Sequence, residues 1–224
     1  MSSLRKIIAS NIQNVCLEGP IQFDSEFRNE CAMLANNISE LYIDSKKTLL
    51  LFVGASPAYV YYAFSKLDTP CESSLLPISS LSCIYLPDYM PDPLNSPEKR
   101  KTFSSFVSNF ITKPYDKIVL VDHSHTGMSV LNLIKLFQVS GIDSKFDFVN
   151  LVDTKTPLWL IKNPYDCYLQ QYHVLRGDFI NDVSGHIIPR LCPQHHLINI
   201  LNQKQINQKS IEQGQRLAEA MFSE

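Results

Sequence analysis

The sequence predicts an α/β fold in which a mostly parallel sheet is flanked by helices. The runs TLLLFVG at residues 48–54 and KIVLV at residues 117–121 are almost continuously apolar, which is typical of strands buried on both faces of a parallel sheet. Turn residues and then an apolar helical pattern follow each run. This alternation of strands and helices predicts parallel strands that are joined by crossover helices.

Periodicity and capping residues place the remaining elements. Phe27, Cys31, Leu34 and Ile38 fall on one face of a helix predicted over residues 23–41. The pairs Ser56-Pro57 and Ser96-Pro97 are typical of helix starts, and they predict helices over residues 56–67 and 96–111. Other predictions are helices at 1–15, 130–137, 166–175 and 205–222, strands at 81–86, 146–152 and 158–161, and loops at 69–80 and 87–95.

Composition bounds the class of protein. Hydrophobic residues make up 45% of the 224 residues and charged residues 19%, so we expect one folded domain over residues 1–224. A formal net charge of −2 offers no electrostatic basis for binding nucleic acid or an anionic membrane. No apolar run approaches the roughly 20 residues of a membrane span, and there is no Sec signal. We expect a cytoplasmic protein with reduced thiols, while export by a specialised secretion system and the oligomeric state stay open.

The strand at residues 117–121 leads into a polar segment that is suited to an anion. Gly127 lets the backbone turn sharply, and the first N–H groups of the next helix have no intrahelical acceptor. The hydroxyls of Thr126 and Ser129 add donors. Asp122, at the end of the strand, is suited to sugar hydroxyls, a metal ion or a reacting group. Since ligands of open α/β sheets bind at the carboxyl ends of the strands, the pattern predicts a phosphate site there.

Residues 119–130 resemble the phosphoribosyl pyrophosphate motif of type I phosphoribosyltransferases. In that family a buried strand ends in two acidic residues that hold the ribose hydroxyls, and a Thr-Gly-x-Thr/Ser loop holds the 5′-phosphate. Thr126-Gly127-Met128-Ser129 matches the loop, and Asp122 matches one acidic position. Upstream, Gly54-Ala55-Ser56-Pro57 after the first strand is similar to the family's pyrophosphate loop.

The resemblance covers residues 45–155 and implies a phosphoribosyltransferase-like core with N- and C-terminal helical additions. Residues 1–44 and 156–224 would then form a hood or lobe. The implied ligand is a phosphorylated ribose, either phosphoribosyl pyrophosphate or a nucleotide, with Mg²⁺ held through Asp122. The implied activity is transfer or cleavage of a ribosyl phosphate group, with Asp122 and His125 as catalytic residues.

Further site residues are implied by position in the motif. The ribose and phosphate contacts would come from His123, Ser124, Thr126, Gly127, Met128 and Ser129, and the pyrophosphate contacts from Gly54, Ala55 and Ser56.

The sequence departs from the family pattern at three points. His123 occupies the second acidic position, and His125 stands where many members carry an acidic residue near the leaving base. An imidazole there is suited to general acid or base chemistry. The third departure is the pyrophosphate loop, which has no basic residue. These departures keep a non-catalytic nucleotide-binding or interaction module of the same fold as an alternative.

A different family offers a second alternative. Asp122-x-Ser124-x-Thr126 resembles the D-x-D-x-T motif of haloacid-dehalogenase-like phosphatases, in which the first Asp is the nucleophile. Residues 177–182 (GDFIND) resemble their G-D-x-x-N-D metal motif. Ser124 replaces the second Asp, so the acid that would protonate the leaving group is missing.

Two residues outside the motif are candidates for ligand contact. Trp159 fits either stacking on a base or a place in the core. Arg190 lies between Pro189 and Pro193 in a stiff segment, which fits either contact with an anion or carboxylate or an ordinary surface position.

Overall fold

Five parallel strands form the main sheet of the protein, and helices cover both of its faces. The computed structural model describes residues 25–43, 47–79, 81, 94–124, 127–157, 168–178, 195–196, 200–202 and 216. The strands are β1 (Thr48–Val53), β2 (Glu72–Leu76), β3 (Ile78–Ser79), β4 (Lys117–Asp122), β5 (Lys145–Asp153), β6 (Gln171–Gly177) and β7 (His195–His196). The helices are α1 (Ser25–Leu41), α2 (Ala58–Phe64), α3 (Pro97–Val107) and α4 (Met128–Val139).

The order of the strands reverses once across the sheet. The main sheet has the order β2-β1-β4-β5-β6, and every neighbouring pair is parallel. The chain therefore leaves β1 toward β2 on one side and continues with β4 on the other side. Strands β3 and β7 form a separate parallel pair, with Ile78 opposite His195. The reversal between β1 and β4 is the type of position at which open α/β sheets bind their ligands.

Alternate residues of the central strands point to two separate cores. Leu50 and Phe52 of β1 belong to one buried cluster, which they share with α1 and α2. Leu49 and Leu51 belong to the other cluster, which contains the buried faces of α3 and α4. Both central strands are thus buried on both sides. This burial explains why their sequences are continuous apolar runs rather than alternating patterns.

The predictions for the two central strands are confirmed. Strand β1 pairs in parallel with β4, and Leu50 lies opposite Val119. The fold class is therefore the predicted one, a parallel sheet flanked by helices. The prediction for the helix over residues 23–41 is confirmed by α1, whose buried residues include Phe27, Cys31, Leu34 and Ile38.

The helix starts at the two Ser-Pro pairs differ from each other. At α3 the predicted start is confirmed, because the Ser96 side chain accepts a hydrogen bond from the Lys99 N–H at 3.2 Å and Pro97 is the first helical residue, although the helix ends at Val107 rather than at residue 111. At α2 the predicted start is wrong by one residue, since Pro57 rather than Ser56 occupies the N-cap position and the helix begins at Ala58. No side chain caps α2. This helix also ends at Phe64, three residues before the predicted end.

Two predictions along the chain are wrong. Residues 69–80, predicted as a loop, contain β2 and β3, and residues 166–175, predicted as a helix, contain most of β6. Both β2 and β6 lie at the edges of the main sheet, where most of their residues are exposed or half-buried. Their sequences contain no continuous apolar run, because these strands are only partly buried. Backbone pairing of β2 with β1 and of β6 with β5 keeps them in the sheet.

Several predictions lie outside the described residues. These are the helix at 1–15, the strand at 158–161, most of the strand at 81–86 and most of the terminal helix at 205–222. In the part of the chain that the structure describes, none of the helices has the length and apolar character needed to cross a membrane.

Candidate functional site

The candidate site lies where the carboxyl ends of β1 and β4 meet. Phe52 lies opposite Val121, so the two strands end side by side, β1 at the turn of Gly54 and β4 at the loop after Asp122. Adjacent strands are about 4.8 Å apart, so the two loops are neighbours. The sheet order reverses at this point, because β2 and β4 lie on opposite sides of β1. In open α/β sheets such a reversal leaves a crevice between the loops of the two strands, so the space between these two loops, called the crevice below, is the candidate ligand position.

The turn after β1 requires glycine. Gly54 has a φ of 80°, which is the left-handed region that glycine adopts without strain. Its N–H donates to the carbonyl oxygen of Leu76 at 2.8 Å, which joins the end of β1 to the end of β2. A Cβ at Gly54 would lie 3.1 Å from the carbonyl oxygen of Ile78. Gly54 is therefore buried against the ends of β2 and β3, and buried Ala55 and half-buried Ser56 follow it.

Asp122 is the last residue of β4, and its carboxyl group is desolvated. Its Oδ1 accepts a hydrogen bond from the His123 N–H at 2.7 Å, which favours the ionised form. Burial outweighs this bond and raises the pKa of Asp122 to about 8. The half-buried Asp122 therefore keeps its proton to a higher pH than an ordinary Asp, and in the protonated form it can donate a hydrogen bond to a hydroxyl or phosphate oxygen. The sequence indicated an acidic group here but not its protonation.

Ser124 shapes the loop that leads into α4. Its Oγ accepts a hydrogen bond from the Gly127 N–H at 2.8 Å, and its Oγ lies 3.5 Å from the Oγ of Ser129. Gly127 has a φ of 71° and is the N-cap residue of α4. The positive φ suits glycine at position 127, where the sequence predicted a turn.

The first turn of α4 opens at the crevice. Ser129 is the second residue of this helix and is half-buried. The N–H groups in the first turn of a helix have no carbonyl four residues earlier within the helix, and the helix dipole adds a partial positive charge. Ser129 therefore combines a hydroxyl with a backbone donor two residues after Gly127. This arrangement suits the oxygens of a phosphate group.

Four of the predicted site residues cannot be placed. His125, Thr126, Trp159 and Arg190 lie outside the described residues. The acid or base role of His125, the hydroxyl contact of Thr126 and the ligand contacts of Trp159 and Arg190 stay predictions. His123 and Met128 are both half-buried at the crevice.

The described residues do not form a magnesium site of their own. Mg²⁺ prefers several oxygen ligands in octahedral geometry. Across the described ranges, no three His, Cys, Asp or Glu side chains converge. Asp122 would also have to lose its proton before it could bind a cation, because burial raises its pKa to about 8. The donor set at this edge therefore does not fit Mg²⁺ unless a ligand supplies further oxygens.

Asn150 and Tyr172 belong to the site, and the sequence reasoning missed both. The Asn150 Oδ1 accepts from the Ser124 N–H at 3.0 Å, and its Nδ2 donates to the Ser124 carbonyl oxygen at 2.8 Å. The same Nδ2 lies 3.0 Å from the Tyr172 hydroxyl, which accepts from it. The available signal was an asparagine inside the apolar run FVNLV of β5. A buried amide in such a strand requires polar partners.

Gly177 and Asp178, the described residues of the metal motif in the phosphatase alternative, have packing roles. Asp178 follows β6, so the whole of β5 separates it from Asp122. Its carboxylate accepts a hydrogen bond from the Thr154 hydroxyl, and its N–H donates to the Glu30 carboxylate. A Cβ at Gly177 would lie 2.6 Å from the Glu30 Oε1, so glycine permits the close approach of α1. This geometry does not favour a metal site that is shared with Asp122.

The fold and the crevice define an α/β protein with a candidate ligand site at the carboxyl edge of its sheet. No family model matches the chain, and no curated protein matches it. Hypoxanthine-type phosphoribosyltransferases are among the similar solved structures.

One is a hypoxanthine-guanine-xanthine phosphoribosyltransferase, with 18% identity, a TM-score of 0.37, and coverage of 72% of this chain and 83% of that chain. Another is a hypoxanthine phosphoribosyltransferase from Staphylococcus aureus, with 14% identity, a TM-score of 0.39, and coverage of 74% of this chain and 80% of that chain. Likeness at this level assigns neither ligand nor activity.

Proposed function

We propose that this chain binds a phosphorylated ribose, as phosphoribosyl pyrophosphate or as a nucleotide, in the crevice between β1 and β4. The observation that carries the proposal is the position of two ligand-suited loops at the reversal of the strand order. The glycine turn at Gly54 lies on one side, and the loop from Asp122 to Ser129 lies on the other. The rule for open α/β sheets supports a ligand at this point.

The 5′-phosphate is assigned to the first turn of α4. Gly127 lets the ligand approach the backbone, since it has no side chain in the way. Ser129 offers its hydroxyl and its amide, and the dipole of the 12-residue helix favours an anion. Asp122 then lies on the ribose side of the phosphate. In its protonated form it adds no negative charge beside the phosphate and donates to a ribose hydroxyl.

The turn at Gly54 is assigned to the pyrophosphate or leaving-group side. Gly54 packs closely against Ile78, and Ile78 pairs with His195 of β7. This packing supports a role for the C-terminal third of the chain on the leaving-group side of the site. Within the proposal, residues 156–224 supply a lobe over this edge of the sheet. The compartment is assigned as reducing and cytoplasmic, which the buried thiols of Cys31 and Cys71 support, since neither forms a disulfide.

Binding is the core of the proposal, and ribosyl transfer is its extension. In a transfer reaction, Asp122 would lie beside the ribose, where positive charge develops in the transition state. A protonated carboxyl group stabilises such charge poorly, so transfer would be expected to rise with pH as Asp122 ionises near its pKa of about 8. A binding module would show ligand affinity without turnover at any pH.

A thermal-shift screen tests the proposal. The probes are phosphoribosyl pyrophosphate, guanosine 5′-monophosphate and adenosine 5′-monophosphate, each with and without Mg²⁺, and the controls are adenosine and inorganic phosphate. A ligand at a hundredfold excess over its Kd stabilises by about 2.7 kcal/mol, which for a chain of this size is a rise in Tm of about 5–10 °C. We expect this rise with the phosphorylated nucleosides and not with adenosine. No rise with any phosphorylated ribose would overturn the proposal.

A further inference from the structure

Asn150 is a buried polar residue within an apolar strand. Its relative exposure is 2%, and its neighbours Val149 and Leu151 are fully buried. Burying an amide is unfavourable unless its donors and acceptor are satisfied, so its hydrogen bonds indicate what the residue does there. Asn150 lies opposite Asp122 in the last pair of the β4–β5 ladder. It is therefore level with the point at which β4 becomes the loop of the crevice.

The side chain of Asn150 continues the ladder beyond the end of β4. It accepts from the N–H of Ser124 at 3.0 Å and donates to the carbonyl oxygen of the same residue at 2.8 Å. A backbone N–H only donates and a carbonyl oxygen only accepts, so the pair of bonds fixes which way the amide points. Tyr172 on β6 accepts a further bond from the Asn150 Nδ2 at 3.0 Å. Ser124 is thus held by Asn150 of β5, and Asn150 is in turn held by Tyr172 of β6.

Ser124 passes this constraint on to the start of α4. Its Oγ accepts from the Gly127 N–H at 2.8 Å, and Gly127 is the N-cap residue of the helix. A continuous chain of hydrogen bonds therefore runs from β6 through β5 to the turn that precedes the first helical amides. Both ends of the short loop between Ser124 and Gly127 are fixed by it.

We infer that Asn150 is a positioning residue, which holds Ser124 and, through it, the Gly127 N-cap of α4 in the place from which the first turn of the helix binds the phosphate. The inference rests on the proposed function and deepens it. A loop that is already ordered before the ligand arrives loses less conformational entropy on binding, so its affinity is higher. Asn150 acts through Ser124 and does not itself contact the ligand. Tyr172 supports the amide from the far side.

The test uses Asn150→Leu, which keeps the branched shape of the side chain and removes the three hydrogen bonds. Val149→Ala is the matched control, since Val149 is the neighbouring β5 residue and faces the other core. It lowers stability by creating a cavity, without touching the loop. Tyr172→Phe is a milder second variant that removes only the outer hydroxyl. Two quantities are measured for each protein: amide hydrogen exchange over residues 123–129 without ligand, and the Kd for guanosine 5′-monophosphate.

We expect faster exchange at Ser124 and Gly127 in Asn150→Leu, with strand β4 still protected. We also expect a Kd raised by about tenfold, which corresponds to roughly one hydrogen bond. Tyr172→Phe is expected to raise the Kd by about twofold to threefold, and Val149→Ala to leave both quantities unchanged. An equal loss of affinity in Val149→Ala, or unchanged loop exchange in Asn150→Leu, would overturn the inference. If Asn150→Leu does not fold, an unchanged Kd in Tyr172→Phe overturns it.

The proposed function and the positioning role of Asn150 can each be contradicted independently of the other. If the wild-type protein binds no phosphorylated ribose while Asn150→Leu still loosens the loop, the ligand assignment is wrong and the hold on the loop stands. If the wild-type protein binds and Asn150→Leu binds equally well, the ligand assignment stands and the positioning role is wrong.

Discussion

Replacing Asp122 with Asn is expected to stabilise the protein at neutral and alkaline pH. Burial raises the pKa of this carboxyl group from its ordinary value of 3.8 to about 8. The folded protein therefore keeps a proton that the unfolded chain releases above about pH 4. Asparagine has nearly the same shape and keeps an oxygen that accepts from the His123 N–H. It removes the ionisable group without removing the bond.

The sign of the pH dependence follows from proton binding. Between about pH 4 and pH 8 the folded state binds more protons than the unfolded state, so the free energy of unfolding falls as the pH rises. The variant lacks this dependence. One pKa unit corresponds to about 1.4 kcal/mol, and the buried amide keeps part of the desolvation cost, so we expect a gain of roughly 2–4 kcal/mol at pH 8 and little gain at pH 4.

Urea denaturation of both proteins at pH 4, 6 and 8 measures this difference. Asp116→Asn is the matched control, because the Asp116 side chain is 74% exposed and its ion pair is with Lys47, whose side chain is 77% exposed. Its effect should stay within about 0.5 kcal/mol at each pH. A variant at position 122 that is less stable than the wild type at pH 8, or a difference that does not grow with pH, would contradict the account of the buried carboxyl group.

The second large effect is expected from Ser129→Asp. Ser129 is the second residue of α4, where the phosphate is assigned. A carboxylate at a helix start is stabilised by the helix dipole, so we expect the fold to tolerate the change. The same carboxylate occupies the place of the phosphate and repels it. We expect the Kd for guanosine 5′-monophosphate to rise on the order of a hundredfold or more, as measured by calorimetry.

Two controls separate charge from position. Ser129→Ala removes only the hydroxyl and should raise the Kd by about tenfold or less, since the backbone amide remains. Asn36→Asp makes the same change in net charge at an exposed position of α1, and it should leave the Kd unchanged. Unaltered affinity in Ser129→Asp would show that the phosphate binds elsewhere.

The two central strands could be predicted from the sequence, because a strand that is buried on both faces is apolar at almost every position. Strands β1 and β4 are continuous apolar runs, and all the residues between Leu49 and Val53 are buried. The N-cap of α3 was also visible, since Ser96 and Pro97 act locally. Edge strands leave no such pattern. Residues 171–177 form β6 because they pair with β5, and the local sequence pattern does not reveal that pairing.

The turns at the candidate site could be predicted from the sequence, but the contacts around them could not. Gly54 and Gly127 could be placed at turns because each follows a buried apolar strand, and the structure gives each a positive φ. The protonation of Asp122 could not be predicted, because it arises from packing around the end of β4. The hold of Asn150 on Ser124 spans two strands and depends on the register of β4 and β5. Sequence periodicity carries no information about that register.

The most direct test of a ligand in the crevice is a titration of ¹⁵N-labelled protein with guanosine 5′-monophosphate, followed by amide chemical shifts. We predict that the largest shift changes fall on Gly54, Gly127 and Ser129, at the carboxyl ends of β1 and β4. Changes that instead cluster at the opposite edge of the sheet, around Lys117 and Gln171 at the starts of β4 and β6, would contradict the assignment of the site.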